Sequence, residues 1–93
     1  LFEIEYREEI LEEDLPQIPV NLRRRIVRAI ESRLGTEPSK YGVRLRRSLQ
    51  GLWKLRVGDY RVVFELQNER VRVWAIVHRK RVYEEAARRR QKG

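Results

Sequence analysis

Phe2, Ile4 and Tyr6 alternate with Glu3, Glu5 and Arg7, the period of two expected of a strand with one buried face. From Glu8 to Leu15 the alternation stops, and the run of Glu and Leu suits a short acidic helix that Pro16 and Pro19 end. Leu22, Ile26, Ile30 and Leu34 then recur every four residues with Val27 beside them. That spacing predicts a second helix with one apolar stripe, while Arg23, Arg24, Arg25 and Arg28 point away. Asn21 is placed to cap this helix and Gly35 to stop it. Thr36 to Gln50 reads as a basic connecting segment broken by Pro38 and Gly42, part of it a strand edge.

Three apolar runs rich in Val, Trp, Tyr and Phe follow, at Leu52 to Val57, Tyr60 to Gln67 and Arg70 to His78, and all read as strands. Gly58-Asp59 and Asn68-Glu69 are the turns between them. Connections this short make the strands antiparallel neighbours, because a parallel crossover needs a dozen residues or more. A last helix is expected from Lys80 to Gln91, with Arg88, Arg89 and Arg90 complementing its dipole. The expected fold is α+β: a small twisted antiparallel sheet of about four strands, two N-terminal helices packed on one face, and a C-terminal helix. One sheet face is expected to be apolar and the other partly basic. Residues 1–93 suit a single domain.

Charge adds a direction to this picture. The chain has 22 Lys plus Arg against 14 Asp plus Glu, a net charge of +8, which favours an anionic partner such as nucleic acid. Residues 1 to 14 hold seven acids against Arg7 alone, whereas residues 40 to 61 hold Lys40, Arg44, Arg46, Arg47, Lys54, Arg56 and Arg61 against Asp59. A molecule with an acidic region and a larger basic one follows. There is no Cys, which excludes disulfides, thiolate metal sites and cysteine nucleophiles. No apolar run approaches the roughly 20 residues needed to span a bilayer, and no signal segment opens the sequence, so a cytoplasmic, non-membrane protein is expected.

Cleaving RNA without a metal requires removal of a proton from the 2′-hydroxyl, stabilisation of a pentacovalent phosphate and protonation of the leaving 5′-oxygen. With His78 as the one histidine, a two-histidine mechanism cannot operate within one chain. No dense cluster of Asp, Glu and His lies on the predicted sheet, so neither a metal nor another cofactor is expected. The sheet instead carries Lys54, Arg56, Arg61, His78, Arg79, Arg81 and Tyr83. Guanidinium groups suit phosphate positioning and charge stabilisation, a Lys among cations can become a base, and a Tyr can stack on a base or orient a hydroxyl.

The segments LRVGDYRVVF and HRKRVY resemble the core of the RelE/ParE toxin superfamily of toxin–antitoxin systems. The resemblance runs from the first strand to the final helix, with its specific part at residues 51 to 83. It implies a RelE-like fold and a metal-independent endoribonuclease toxin acting on mRNA at the ribosome. Position by position, it implies catalytic roles for Lys54, Arg61, Arg79 and Tyr83, with His78 as a further proton-transfer candidate. Arg44, Arg46, Arg47, Arg56 and Arg81 are the RNA-binding candidates, and the arginines of the second helix read as a solvated face or a secondary contact to ribosomal RNA. Where the RelE pattern has a second Lys, two residues before Lys54, this chain has Leu52. The same resemblance leaves a ParE-like inhibitor of DNA gyrase and an inactive RNA-binding member as alternatives. Either toxin implies a cognate, RelB-like antitoxin bound in a hetero-oligomer.

Overall fold

A computed structural model describes residues 1–93. The sheet has five strands in the order β1-β5-β4-β3-β2: β1 (Glu3–Tyr6), β2 (Val43–Arg44), β3 (Leu52–Val57), β4 (Tyr60–Gln67) and β5 (Arg70–His78). The three long strands and both two-residue turns fall where the sequence places them. Each turn begins with a residue at positive φ, 60° at Gly58 and 55° at Asn68, and Gly and Asn are the residues that tolerate it.

The sheet is mixed, whereas about four antiparallel strands were expected. β1 joins β5 in parallel, with Ile4 opposite Val71 and Tyr6 opposite Val73. Alternation in β1 shows that one face is buried but carries no information about a partner more than 60 residues away. The two-residue β2 pairs Val43 with Lys54 at the other edge.

Both sheet faces bury apolar side chains, where one apolar face was expected. On the first face the N-terminal helices and the link between them supply Ile10, Ile18, Ile26, Ile30 and Leu34, which pack on Leu55, Val62, Phe64, Val71, Val73 and Ile76. The helix α1 (Val20–Ala29) and its wider continuation to Leu34 present the predicted stripe. Pro19, rather than Asn21, stands at the cap, and Asn21 lies inside the helix with no capping bond. Pro16 is accommodated in a tight turn at Leu15–Gln17, and the chain becomes extended at Ile18. The connecting segment contains a single helical turn, α2 (Pro38–Tyr41).

On the second face α3 (Val82–Lys92) lays Val82 and Ala86 on Leu52, Val63, Ala75 and Val77, with Leu45 and Leu49 closing the edge. Arg89 was expected to serve the helix dipole. It is instead a core residue, 2% exposed. Its guanidinium holds Asp14 at 2.6 and 2.8 Å, donates to the Trp74 carbonyl at 2.9 Å and reaches Glu85 at 3.2 Å. Asp14 also accepts the Ile76 N–H at 2.8 Å. β1 ends at Tyr6, opposite Val73, so the Trp74 carbonyl and Ile76 N–H would otherwise be orphaned on β5. Buried backbone groups need partners; Asp14 and Arg89 together stand in for the strand that has ended.

Candidate nucleic-acid interface

The predicted site residues fall into three places. The first is a groove of about 440 Å³ between α3 and the β2 edge, lined by Arg44, Arg46, Arg47, Lys54, Tyr83 and Ala87 among others. Lys54 lies mid-strand on the α3 face, and Tyr83 comes from the first turn of α3. Lys54 Nζ donates to Tyr83 Oη at 3.0 Å and sits 5.2 Å from the ring centroid. Tyr83 is nonetheless 57% exposed, so its ring can also meet a ligand. Arg46 and Arg47 are exposed on the approach to the groove. Arg47 holds a φ of 56°, an uncommon conformation for a residue with a side chain. Arg44 lines the rim while its guanidinium lies 5.0 Å over the Trp53 ring.

The second place is the tip of the β3–β4 hairpin. Arg56 and Arg61 are cross-strand partners there on the face that carries Lys54. Lys54 is opposite Val63, which makes Arg61 its diagonal neighbour at about 7–8 Å. Arg61 Nη1 donates to the carbonyls of Gly58 at 3.0 Å and Tyr60 at 2.9 Å. Arg79 is fixed by its backbone N–H on the Asp59 carbonyl at 2.8 Å, with a loose 3.7 Å ion pair to the same residue.

The third place is a tighter cleft of about 150 Å³ that includes Glu13, Gln17, Tyr60, His78, Arg81 and Glu85. His78 is one residue out of phase with Val77, which faces α3, so its ring lies on the other sheet face against Tyr60 at 6.0 Å. Its Nδ1 accepts the Lys80 N–H at 3.2 Å. Arg81 is held by Glu85 at 3.1 Å. The structure therefore brings Lys54 and Tyr83 together, adds Arg56 and Arg61 on the same face, and sets His78 and Arg81 apart. A wider depression of about 540 Å³ around Phe2, Gln67 and Arg70 holds none of the predicted residues.

Residues outside the predicted site hold the groove in shape. Leu52, at the place of the second lysine, is 2% exposed in the core under α3 and supplies no charge. The Asp14–Arg89–Glu85 network anchors the helix that carries Tyr83. A hydrogen bond from Arg88, with the charges of Arg88, Arg89 and Arg81, holds the Glu85 carboxyl below its ordinary range against the opposing effect of burial. Burial alone would lower the Arg89 pKa, but the bond to Asp14 and the charges of Asp14, Glu85 and Glu13 outweigh it and raise it. Asp14 and Arg89 are 75 residues apart, beyond any local pattern.

A family profile described as the ParE toxin of type II toxin–antitoxin system, parDE, matches residues 5–83. The chain belongs to this toxin family. It falls within the RelE/ParE superfamily, in agreement with the sequence motifs. The RelBE2 toxin–antitoxin complex of Mycobacterium tuberculosis contains a similar chain, with a TM-score of 0.78 and 25% identity over 83% of this toxin and 90% of that chain. In the RelB–RelE complex of Methanococcus jannaschii the values are 0.64 and 22%, over 86% and 95%. For YafQ of E. coli they are 0.60 and 14%, over 89% and 99%. At their lower identities the last two speak for the fold alone. No curated protein matches the sequence.

Proposed function

We propose that this toxin is a metal-independent endoribonuclease that cleaves mRNA on the ribosome. The observation that carries the reading is the Lys54–Tyr83 hydrogen bond on the wall of a cationic groove, with Arg61 on the adjacent strand of the same face. In the cleavage, the 2′-oxygen bonds to phosphorus and the bond to the 5′-oxygen breaks, leaving a cyclic 2′,3′-phosphate and a 5′-hydroxyl. Arg61 and Arg79 stabilise the charge that builds on the phosphate. Lys54 takes the 2′-hydroxyl proton and returns it to the leaving 5′-oxygen, and Tyr83, held by Lys54, orients the substrate. Arg44, Arg46, Arg47 and Arg56 contact neighbouring phosphates. His78 has no part in this assignment, because its ring faces the other side of the sheet.

A cognate antitoxin completes the reading, since two of the structurally similar toxins are held in complexes with RelB. Such a partner neutralises this toxin by covering the groove, and complementary charge speeds the encounter.

The test is to induce the toxin without an antitoxin, stop transcription and map mRNA 5′ ends on and off the ribosome. Cuts within translated codons that disappear with Arg61→Ala support the ribonuclease. The match to the ParE family and the apolar Leu52 favour a second reading, inhibition of DNA gyrase. Blocked replication with uncut mRNA would decide for it.

A further inference from the structure

The hairpin tip collects positive charge from both faces of the sheet, and one of its arginines, Arg25, has no part in the proposed chemistry. Arg56 and Arg61 stand directly opposite each other, and like charges in that position destabilise a sheet. Neither has an acidic partner. Arg61 uses Nη1 on two carbonyls, which leaves Nε and Nη2 without a bond, and Arg56 is exposed. From the other face α1 adds Arg25, whose Nη1 lies 3.9 Å from the place a Gly58 side chain would begin. Arg25 is exposed and makes no hydrogen bond or ion pair, in contrast to Arg23 two residues earlier, which donates to the Ile18 carbonyl at 2.6 Å. The acid at this tip is Asp59, and its partner is Arg79 at 3.7 Å.

We infer that Arg25, with Arg56, binds backbone phosphates of an RNA strand that continues from the reacting phosphate at Arg61 around the hairpin tip. Guanidinium groups pair with phosphate oxygens in a planar, bidentate fashion, and a phosphate here would relieve the Arg56–Arg61 repulsion. Lys54 and Gly58 are four residues apart on a strand path, about 13 Å. One phosphate cannot touch both ends, but successive phosphates of one strand can. The inference rests on the RNA reading above and adds to it a binding residue from outside the sheet.

The experiment measures binding of a fully 2′-O-methylated RNA oligonucleotide, which lacks the attacking hydroxyl, by fluorescence anisotropy over a range of salt concentrations. Arg25→Gln is expected to lower the slope of log affinity against log salt by about 0.7, the value for one phosphate contact on a single strand, and to weaken binding to every sequence alike. Lys92→Gln is the control. It removes the same charge next to Gly93, which lies beside Glu5, Glu8 and Glu9, and is expected to leave the slope unchanged. Circular dichroism checks that both variants stay folded. An unchanged slope in Arg25→Gln, or equal losses in the two variants, would overturn the inference while the RNA reading stands. Absence of binding by the unmodified toxin would also overturn the inference, whereas the RNA reading falls only if the mapping of mRNA 5′ ends shows no cuts.

Discussion

Two groups of arginines in this toxin differ in everything except residue type. At the acidic end, Arg70 and Arg72 pair with Glu3 and Glu5 along the parallel edge, and Arg88 and Arg89 with Glu13, Asp14 and Glu85. At the groove and hairpin tip, Arg46, Arg47, Arg56 and Lys54 have no acidic partner, and Arg61 bonds only to carbonyls. The seven acids of the N-terminal segment are thus largely consumed within the fold. The net charge of +8 is concentrated where nothing opposes it. Net charge suggested an anionic partner, but pairing shows which cations the fold leaves free for one.

The sharpest way to break the contrast is to remove one arginine from each group. Arg89→Ala leaves Asp14 charged and buried and the Trp74 carbonyl without a partner. Loss of one member of a buried pair costs about 3–5 kcal/mol, and chemical denaturation should show it. If the variant kept full stability, the pair would not be what holds α3. A double replacement of Asp14 and Arg89 by apolar residues of similar size should recover part of that loss, because the desolvation cost disappears with both charges.

In the second group the effect should move from stability to activity. Arg61→Ala with Arg79→Ala removes a half-buried cation bonded to two carbonyls and an exposed one with a loose pair, so stability should change by about 1 kcal/mol or less. Under the proposed mechanism cleavage should fall about a hundredfold or more, as when a charge-stabilising donor is lost. Persistent toxicity of the folded double variant would remove these residues from the site.

Acid offers a smaller test of the paired end. Glu85 has a depressed pKa in the folded state, so its contribution is present above the ordinary value of 4.5 and is lost as pH falls through the lower, folded value. Thermal unfolding followed downward from pH 5 should show a decline that Glu85→Gln reduces.

The smallest effect concerns Tyr6, whose hydroxyl is buried with no partner. Burial, with the charge of Glu31, pushes its pKa up to about 12 from 10.0. Because the folded state holds the proton more tightly, the associated stability is complete below pH 10 and declines as pH rises toward 12. Tyr6→Phe should remove that alkaline step and stabilise the protein by about 1 kcal/mol, the saving from an unsatisfied hydroxyl. Destabilisation instead would mean that the hydroxyl has a partner in solution.

Much of this architecture was legible in the sequence because its determinants are local. β3, β4 and β5 have strong period-two patterns bounded by Gly58-Asp59 and Asn68-Glu69, and turns of two residues allow only antiparallel neighbours. The stripe of Ile26, Ile30 and Leu34 needed only the helical period. Lys54, Arg61, Arg79 and Tyr83 could be singled out because their motifs are short and contiguous. Their division between a groove and a hairpin tip could not, since it depends on where the chain turns at Gly58 and where α3 returns across the sheet.

His78 shows how narrow the missing information was. A single step along β5 separates it from Val77 and puts its ring on the other face, because side chains alternate again past the bulge at Trp74 and Ala75. The sequence by itself determined the elements, their order, the sign of the charge and the residue types available for phosphate chemistry, since each follows from near neighbours in the chain. Only the tertiary structure decided that β1 lies parallel to β5, that Arg89 is a buried clamp while Arg25 reaches the hairpin tip, and which cations are left unpaired. Each of these is a meeting of residues distant in sequence, where the cost of desolvating a charge and the need to pair it are settled by three-dimensional neighbours.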